Sequence, residues 1–277
     1  MSTAEDLKSM IREKYTVIAT QSKDENATSC CGVGGCGDYT VFSEDYTATE
    51  GYVPEADLGL GCGLPLSSLR LRKGETVLDL GSGAGNDAFV ARAAVGEEGH
   101  VIGVDFTEAM IEKARANAER MGYANVEFRH GDIEKLPVGP ARVDVVTSNC
   151  VLNLVPDKEK AFSEIFRVLK PGGRFVISDV VLHGTLPEKI QTAAEMIAGC
   201  VSGALQRSQY LSIIYRSGFE QLQLVKERAI ELPDEILLQY LNADELKQFR
   251  DSGAEVLSIT VTGEKPAGSC GCGTGCC

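Results

Sequence analysis

Basic residues are scarce in this chain: 27 Lys and Arg stand against 40 Asp and Glu, a formal net charge of -13. A surface that acidic repels nucleic-acid phosphates and anionic membranes, so neither is an expected partner. Long apolar runs are missing as well. None approaches the roughly 20 residues that a bilayer-spanning helix needs. The opening "MSTAEDLKSMIREKY" has neither the basic head nor the apolar middle of a secretory signal. Together these absences predict a cytoplasmic protein. Histidine is the third scarcity, with only His100, His130 and His183 in 277 residues. What is present is a hydrophobic content of 43%, ample for one large α/β domain with an appendage. There are also ten cysteines, which a reducing compartment keeps as thiols and which, when clustered, point to metal or redox chemistry.

Residues 4–20 read as an amphipathic helix with Leu7, Met10, Ile11 and Ile18 on one face. The loop "SKDENATSCCGVGGCGD" follows, and "LGLGCGLP" is a Gly-rich turn shortly before the first strand. From residue 76 strands and helices alternate. "TVLDLG", "HVIGVDF", "VEFRHGD", "VDVVTSNC" and "RFVISDVV" read as strands. Helices are expected at 86–95, over "TEAMIEKARANAERMG" with Thr107 as N-cap and Gly122 past its end, and over "KEKAFSEIFRVLKPGG". This alternation predicts a mostly parallel sheet with helices on both faces. Beyond it, helices are expected near 187–203, 207–217 and 233–250, and strands at "FEQLQLVKERAI" and "VLSITVTGE". The division expected is a cap segment 1–65 and a domain 66–265, with a cofactor core at 70–182 and acceptor-covering elements at 183–265. A Cys-rich tail, 266–277, is too poor in apolar residues to pack.

"LDLGSGAGND" places Gly81, Ser82, Gly83 and Gly85 directly after the first strand, where glycines let backbone approach a ligand closely. The spacing is G-x-G-x-G, not the G-x-G-x-x-G of the dinucleotide fingerprint. Asp79, Asp105 and Asp132 stand at the C-terminal ends of the first three strands. Asp105, 24 residues beyond Gly81, is placed to grip ribose hydroxyls. This pattern resembles the class I S-adenosylmethionine-dependent methyltransferases, a Rossmann-like fold, strongly over residues 70–182. The resemblance implies that Gly81, Gly83 and Gly85 flank the amino-acid part of S-adenosyl-L-methionine. Asp105 would bind its ribose, with Phe106 beside it, and Met110 would pack on adenine. Asp132 and Ile133 would meet adenine, and Asn149 would contact the cofactor. For Met110 the plain alternative is a core residue of an amphipathic helix. Asp87, in the first turn of the helix after the loop, either lies near the methionine moiety or serves the helix dipole. Asn153 caps or turns the chain.

In open α/β sheets ligands bind beyond the carboxyl ends of the strands. Cys150 ends the fourth strand, beside the glycine loop, at the position of an acceptor-site residue. Cys62 in "GLGCGLP" and Cys200 in "AEMIAGCVSGAL" could converge on the same place. Thiolates select soft ions, and trivalent arsenic takes three sulfurs while keeping a lone pair. That lone pair can attack a sulfonium methyl with no proton to remove, which suits a chain poor in His. "GLGCG", "SNCVLNL", "GCVSGAL" and "VIGVDFTEAMIEKA" together resemble the arsenite methyltransferases, over most of residues 4–265. The resemblance implies arsenic(III) bound by Cys62, Cys150 and Cys200. It also implies an N-terminal cysteine in thiol–disulfide steps, for which Cys31, then Cys30 and Cys36, are the candidates. The implied substrate is arsenite or its thiol conjugates, with glutathione or thioredoxin as reductant, in arsenic detoxification.

The tail cysteines Cys270, Cys272, Cys276 and Cys277 suit arsenic capture, zinc, or no catalytic role at all. Two other functions fit parts of the pattern. A methyltransferase acting on carbon or oxygen would keep the cofactor site but would not need Cys150 or Cys200. A non-catalytic metalloid-sequestering protein would bind through its tail without turning cofactor over.

Overall fold

Five short runs rich in β-branched residues form the parallel part of one sheet: β1 (Thr76–Leu80), β2 (His100–Asp105), β3 (Val126–His130), β4 (Val143–Asn149) and β5 (Leu169–His183). They read as near-continuous apolar runs because both faces are covered. β6 (Glu220–Ile230) and β7 (Glu255–Glu264) extend the sheet to seven strands in the order β3-β2-β1-β4-β5-β7-β6, with β7 antiparallel to both neighbours. In this computed structural model, residues 4–21, 25–26, 44–190 and 204–268 are described.

Alternating side chains of the strands feed two cores. On one face Val77, Val101, Val126 and Val145 pack against α1 (Ala4–Thr20), α2 (Asn86–Val95) and α3 (Glu108–Met121). On the other, Leu78, Ile102, Val146 and Phe175 pack against α4 (Lys158–Val168) and α5 (Arg207–Arg216). A third cluster, holding Cys62, Cys150 and Val180, lies beneath Leu237 of α6 (Asp234–Leu237) and Phe249 of α7 (Ala243–Asp251). The strand order reverses between β1 and β4, which places a ligand crevice beyond their carboxyl ends.

Several boundaries differ from those the sequence predicts. Residues 233–250 are not one helix. Asn242 and Glu245 exchange side-chain and backbone hydrogen bonds, both at 2.9 Å, and this capping box starts α7 afresh. α4 ends at Val168, just short of the Pro171 expected to close it, because the residue before a proline is forced to an extended backbone. β3 stops at His130, and Gly131 and Asp132 leave the ladder. Met10 of α1 points to solvent at 61% exposure, while Ile11 and Ile18 are buried. Thr107 stands at the N-cap of α3 but makes no side-chain capping bond, and Gly122 closes that helix in the left-handed region at φ 68°. Most of the helix expected at 187–203 lies outside the described residues.

Candidate active site

The glycine loop folds back onto β2. Gly81 and Ser82 donate their amides to the Val104 carbonyl at 2.7 and 3.1 Å. The Asp105 carboxylate accepts from the Gly83 amide at 3.0 Å and the Thr107 amide at 2.8 Å, so one side chain shapes both the loop and the start of α3. Burial raises Asp105 above the usual carboxylate range, against the pull of those two amides. Above the loop lies a cleft partly open to solvent. Asp79, Gly81, Ser82, Gly83, Asp105, Phe106, Met110, Asp132, Ile133, Asn149 and Cys150 all line it; Gly85 does not.

Gly85 instead serves packing. It adopts φ 101°, and a Cβ there would sit 2.9 Å from Phe128 and from Phe89. Gly83 has φ 51° and nothing within 4 Å of where a Cβ would be, so its missing side chain leaves a cradle. Beside that cradle two buried polar atoms, Asp79 Oδ2 and Ser82 Oγ, have no hydrogen-bond partner among the described residues. Among the described residues, five carboxylates, Asp57, Asp79, Asp87, Asp105 and Asp132, face the cleft against the single ammonium of Lys8. Burial first, then repulsion from Asp87 and Asp105, pushes Asp79 well up; burial also raises Asp87, despite Tyr46 and Asn149. Such a field repels the pyrophosphate of a dinucleotide and suits a cofactor that carries an ammonium and a sulfonium. The residues present therefore fit the adenosylmethionine that the resemblance implies.

Three features of the cleft have little sequence signal. Lys8, Ile11 and Tyr15 of α1 form one wall, and only their three- and four-residue spacing hints at a shared face. Lys8 Nζ binds Asp132 Oδ2 and Glu134 Oε2, both at 2.7 Å. Burial alone would raise Asp132, but Lys8 and the Glu134 amide hold it below the usual range. Tyr46 donates its hydroxyl toward Asp87 Oδ1 at 2.7 Å. Asn149 is a hub: its Nδ2 donates to Tyr46 Oη at 2.7 Å, the Gly63 carbonyl at 2.8 Å and Asp87 Oδ2 at 3.1 Å. Its Oδ1 accepts the Cys62 amide at 3.0 Å.

That last bond draws Cys62 to the strand tips. The flanking glycines make the approach possible: a Cβ at Gly61 would lie 2.6 Å from Asn149 Nδ2, and one at Gly63 2.7 Å from Ser178 Oγ. The Cys62 carbonyl accepts from Ser258 Oγ at 2.9 Å, and the thiol is buried in the same cluster as Cys150. Cys150 is 3% exposed. It adopts φ 61°, a left-handed conformation that costs a residue with a Cβ about 1–2 kcal/mol. None of the three histidines lines the cleft. Cys200, the N-terminal Cys30, Cys31 and Cys36, and the tail Cys270, Cys272, Cys276 and Cys277 all lie outside the described residues.

A family model described as a methyltransferase domain matches residues 71–218. With the strand order and the cleft it defines the class: a doubly wound methyltransferase. The chain is 41% identical over 279 residues to the arsenite methyltransferase of Halobacterium salinarum, an alignment spanning 95% of this chain and 68% of that protein. It is 39% identical over 241 residues to the arsenite methyltransferase of Aquipseudomonas alcaligenes, spanning 83% of this chain and 67% of the other. The crystal structure of an arsenic(III) S-adenosylmethionine methyltransferase from Chlamydomonas reinhardtii aligns with TM-score 0.65 and 32% identity, covering 84% of this chain and 76% of that one. The chain belongs to the arsenite methyltransferase family. Among the described residues, no helix is long and apolar enough to cross a membrane.

Proposed function

We propose that this protein transfers methyl groups from S-adenosylmethionine to trivalent arsenic held by Cys62, Cys150 and Cys200. The observation that carries this is the burial of two cysteines, Cys62 and Cys150, in one side-chain cluster at the strand tips beside an acidic cleft, with Cys150 lining the cleft itself. The cofactor supplies an electrophilic methyl on a positively charged sulfur. Asp79, Ser82 and the Gly83 cradle would hold its amino-acid end, Asp105 its ribose, and Asp132 with Ile133 its adenine.

Arsenite enters as the hydroxide or a thiol conjugate. Each cysteine thiol that displaces a hydroxide forms an As–S bond, and its proton leaves in water. The methyl of the bound cofactor would be the electrophile for the arsenic lone pair, which Cys62, Cys150 and Cys200 would hold in place for the transfer. No proton moves in this step, so positioning and dryness carry the catalysis. The product is formally pentavalent. Two thiols return it to the trivalent state by giving up two electrons and joining as a disulfide, with Cys31, or its neighbours Cys30 and Cys36, taking part. Glutathione or thioredoxin in a reducing cytoplasm resets that disulfide. The physiological role is detoxification.

Arsenite binding by equilibrium dialysis tests the ligand set. Wild type should retain arsenite stoichiometrically, and Cys62→Ser, Cys150→Ser and Cys200→Ser should each weaken retention without disturbing adenosylmethionine binding. Full retention in all three variants would refute the assignment.

A further inference from the structure

Behind the two thiols lies a group of buried titratable side chains that methyl transfer leaves unused. Asp179 on β5 and Tyr210 on α5 are fully buried, and Lys158 at the start of α4 is nearly so. They surround the turn that follows Cys150. Lys158 Nζ donates to the Asn153 carbonyl at 3.3 Å and the Val155 carbonyl at 3.0 Å. The Asn153 amide faces the Asp179 carboxylate and stabilises its charge. Asp179 Oδ2 accepts the Tyr210 hydroxyl at 3.0 Å, and Oδ1 accepts the Val180 amide at 3.1 Å. The turn is therefore gripped between a buried ammonium and a buried carboxylate. On the other side of Cys150, its own amide donates to the carbonyl of Ser178, the residue before Asp179, at 2.8 Å. Two successive residues of β5 thus hold the chain before and after a left-handed cysteine.

An ordinary turn needs none of this. Burying charge is costly, and neutral groups would satisfy the same amide and carbonyls. Glycine is the default residue at a positive φ. Here the position must carry a thiol, so the surroundings have to impose the conformation. We propose that Asp179, backed by Tyr210 and Lys158, is a positioning residue that fixes the Cys150 backbone and so aims its thiol at the arsenic. The inference rests on the reading of Cys150 as an arsenic ligand. Burial pushes the Asp179 carboxyl up to about 7 even with its partners in place.

The test compares wild type with Asp179→Leu, Asp179→Asn and Tyr210→Phe in four measurements. These are arsenite binding, adenosylmethionine binding, melting temperature, and the rate at which iodoacetamide alkylates Cys150, read by peptide mass spectrometry. Asp179→Leu should weaken arsenite binding roughly 10- to 100-fold, the usual penalty for losing a partner behind a ligand, and change the alkylation rate, with cofactor affinity held within about twofold. Asp179→Asn keeps an acceptor facing the Asn153 amide and should recover most of both. Tyr210→Phe keeps the packing and should give an intermediate loss, which decides the matter if Asp179→Leu does not fold. Wild-type arsenite binding and Cys150 reactivity in these variants would overturn the proposal. So would a loss of arsenite and cofactor binding in step with melting temperature. Failure of the wild type itself to bind arsenite through Cys150 would refute the ligand reading instead, and the alkylation rates would still show whether Asp179 positions that residue.

Discussion

Gly83→Ala and Gly85→Ala should have opposite consequences, although the two glycines stand two residues apart in one loop. Both have positive φ, at 51° and 101°. Each alanine therefore costs about 1–2 kcal/mol of backbone strain. At Gly83 the new methyl meets nothing within 4 Å, so strain is the whole folding penalty. At roughly 2–4 °C per kcal/mol for a chain of this size, the melting temperature should drop by only a few degrees. The methyl does fill the cradle, and overpacking of that kind costs about 1–3 kcal/mol, here charged to the bound cofactor alone. Adenosylmethionine should bind roughly 5- to 150-fold more weakly. At Gly85 the methyl would sit 2.9 Å from both Phe128 and Phe89. Strain and overpacking then both fall on the fold, about 2–5 kcal/mol in all. Calorimetric titration with adenosylmethionine beside thermal melts separates the two. Equal destabilisation, or an unchanged affinity in Gly83→Ala, would refute the cradle.

Other expectations are cheaper to check. Asp79 and Asp87 are raised by burial and repulsion, so in the apo protein they contribute stability at low pH that is lost as pH rises. A cationic cofactor favours the ionised forms. Its affinity should therefore fall as the pH is lowered, and binding should release protons, visible in calorimetry across buffers of different ionisation enthalpy; proton uptake would contradict this. Gly61→Ala drives a methyl to 2.6 Å from Asn149 Nδ2, so it should lift Cys62 away and weaken arsenite binding by about tenfold or more. Parallel dialysis with arsenite and with cofactor would read that difference. Asp157→Ala removes the side chain that caps α4 at the Lys160 amide. It should cost about 1 kcal/mol of stability and leave methylation intact, which melting curves and activity together would show.

The parts of the fold that are legible in the sequence are those set by local pattern. The apolar runs give the five parallel strands, and the glycines with Asp79, Asp105 and Asp132 give the cleft, because each motif sits within a few residues of its strand end. Long-range contacts leave no such trace. Tyr46 reaches Asn149 across 103 positions, and Lys8 reaches Asp132 across 124. Nothing local to either residue announces the partner. The left-handed backbone of Cys150 is equally silent, since glycine or asparagine is the usual signal of such a conformation. The break before α7 does have a local signal, since Asn242 followed by Glu245 is a capping pair that marks a new helix start.

The central claim is tested most directly by incubating the purified protein with arsenite, adenosylmethionine and excess glutathione, then separating arsenic species by chromatography with element-specific detection. Methylated arsenic should form with the wild type and vanish with Cys150→Ser, while that variant still binds adenosylmethionine. Arsenite left unmethylated by a wild type that binds the cofactor, or methylation that survives in Cys150→Ser, would contradict the account.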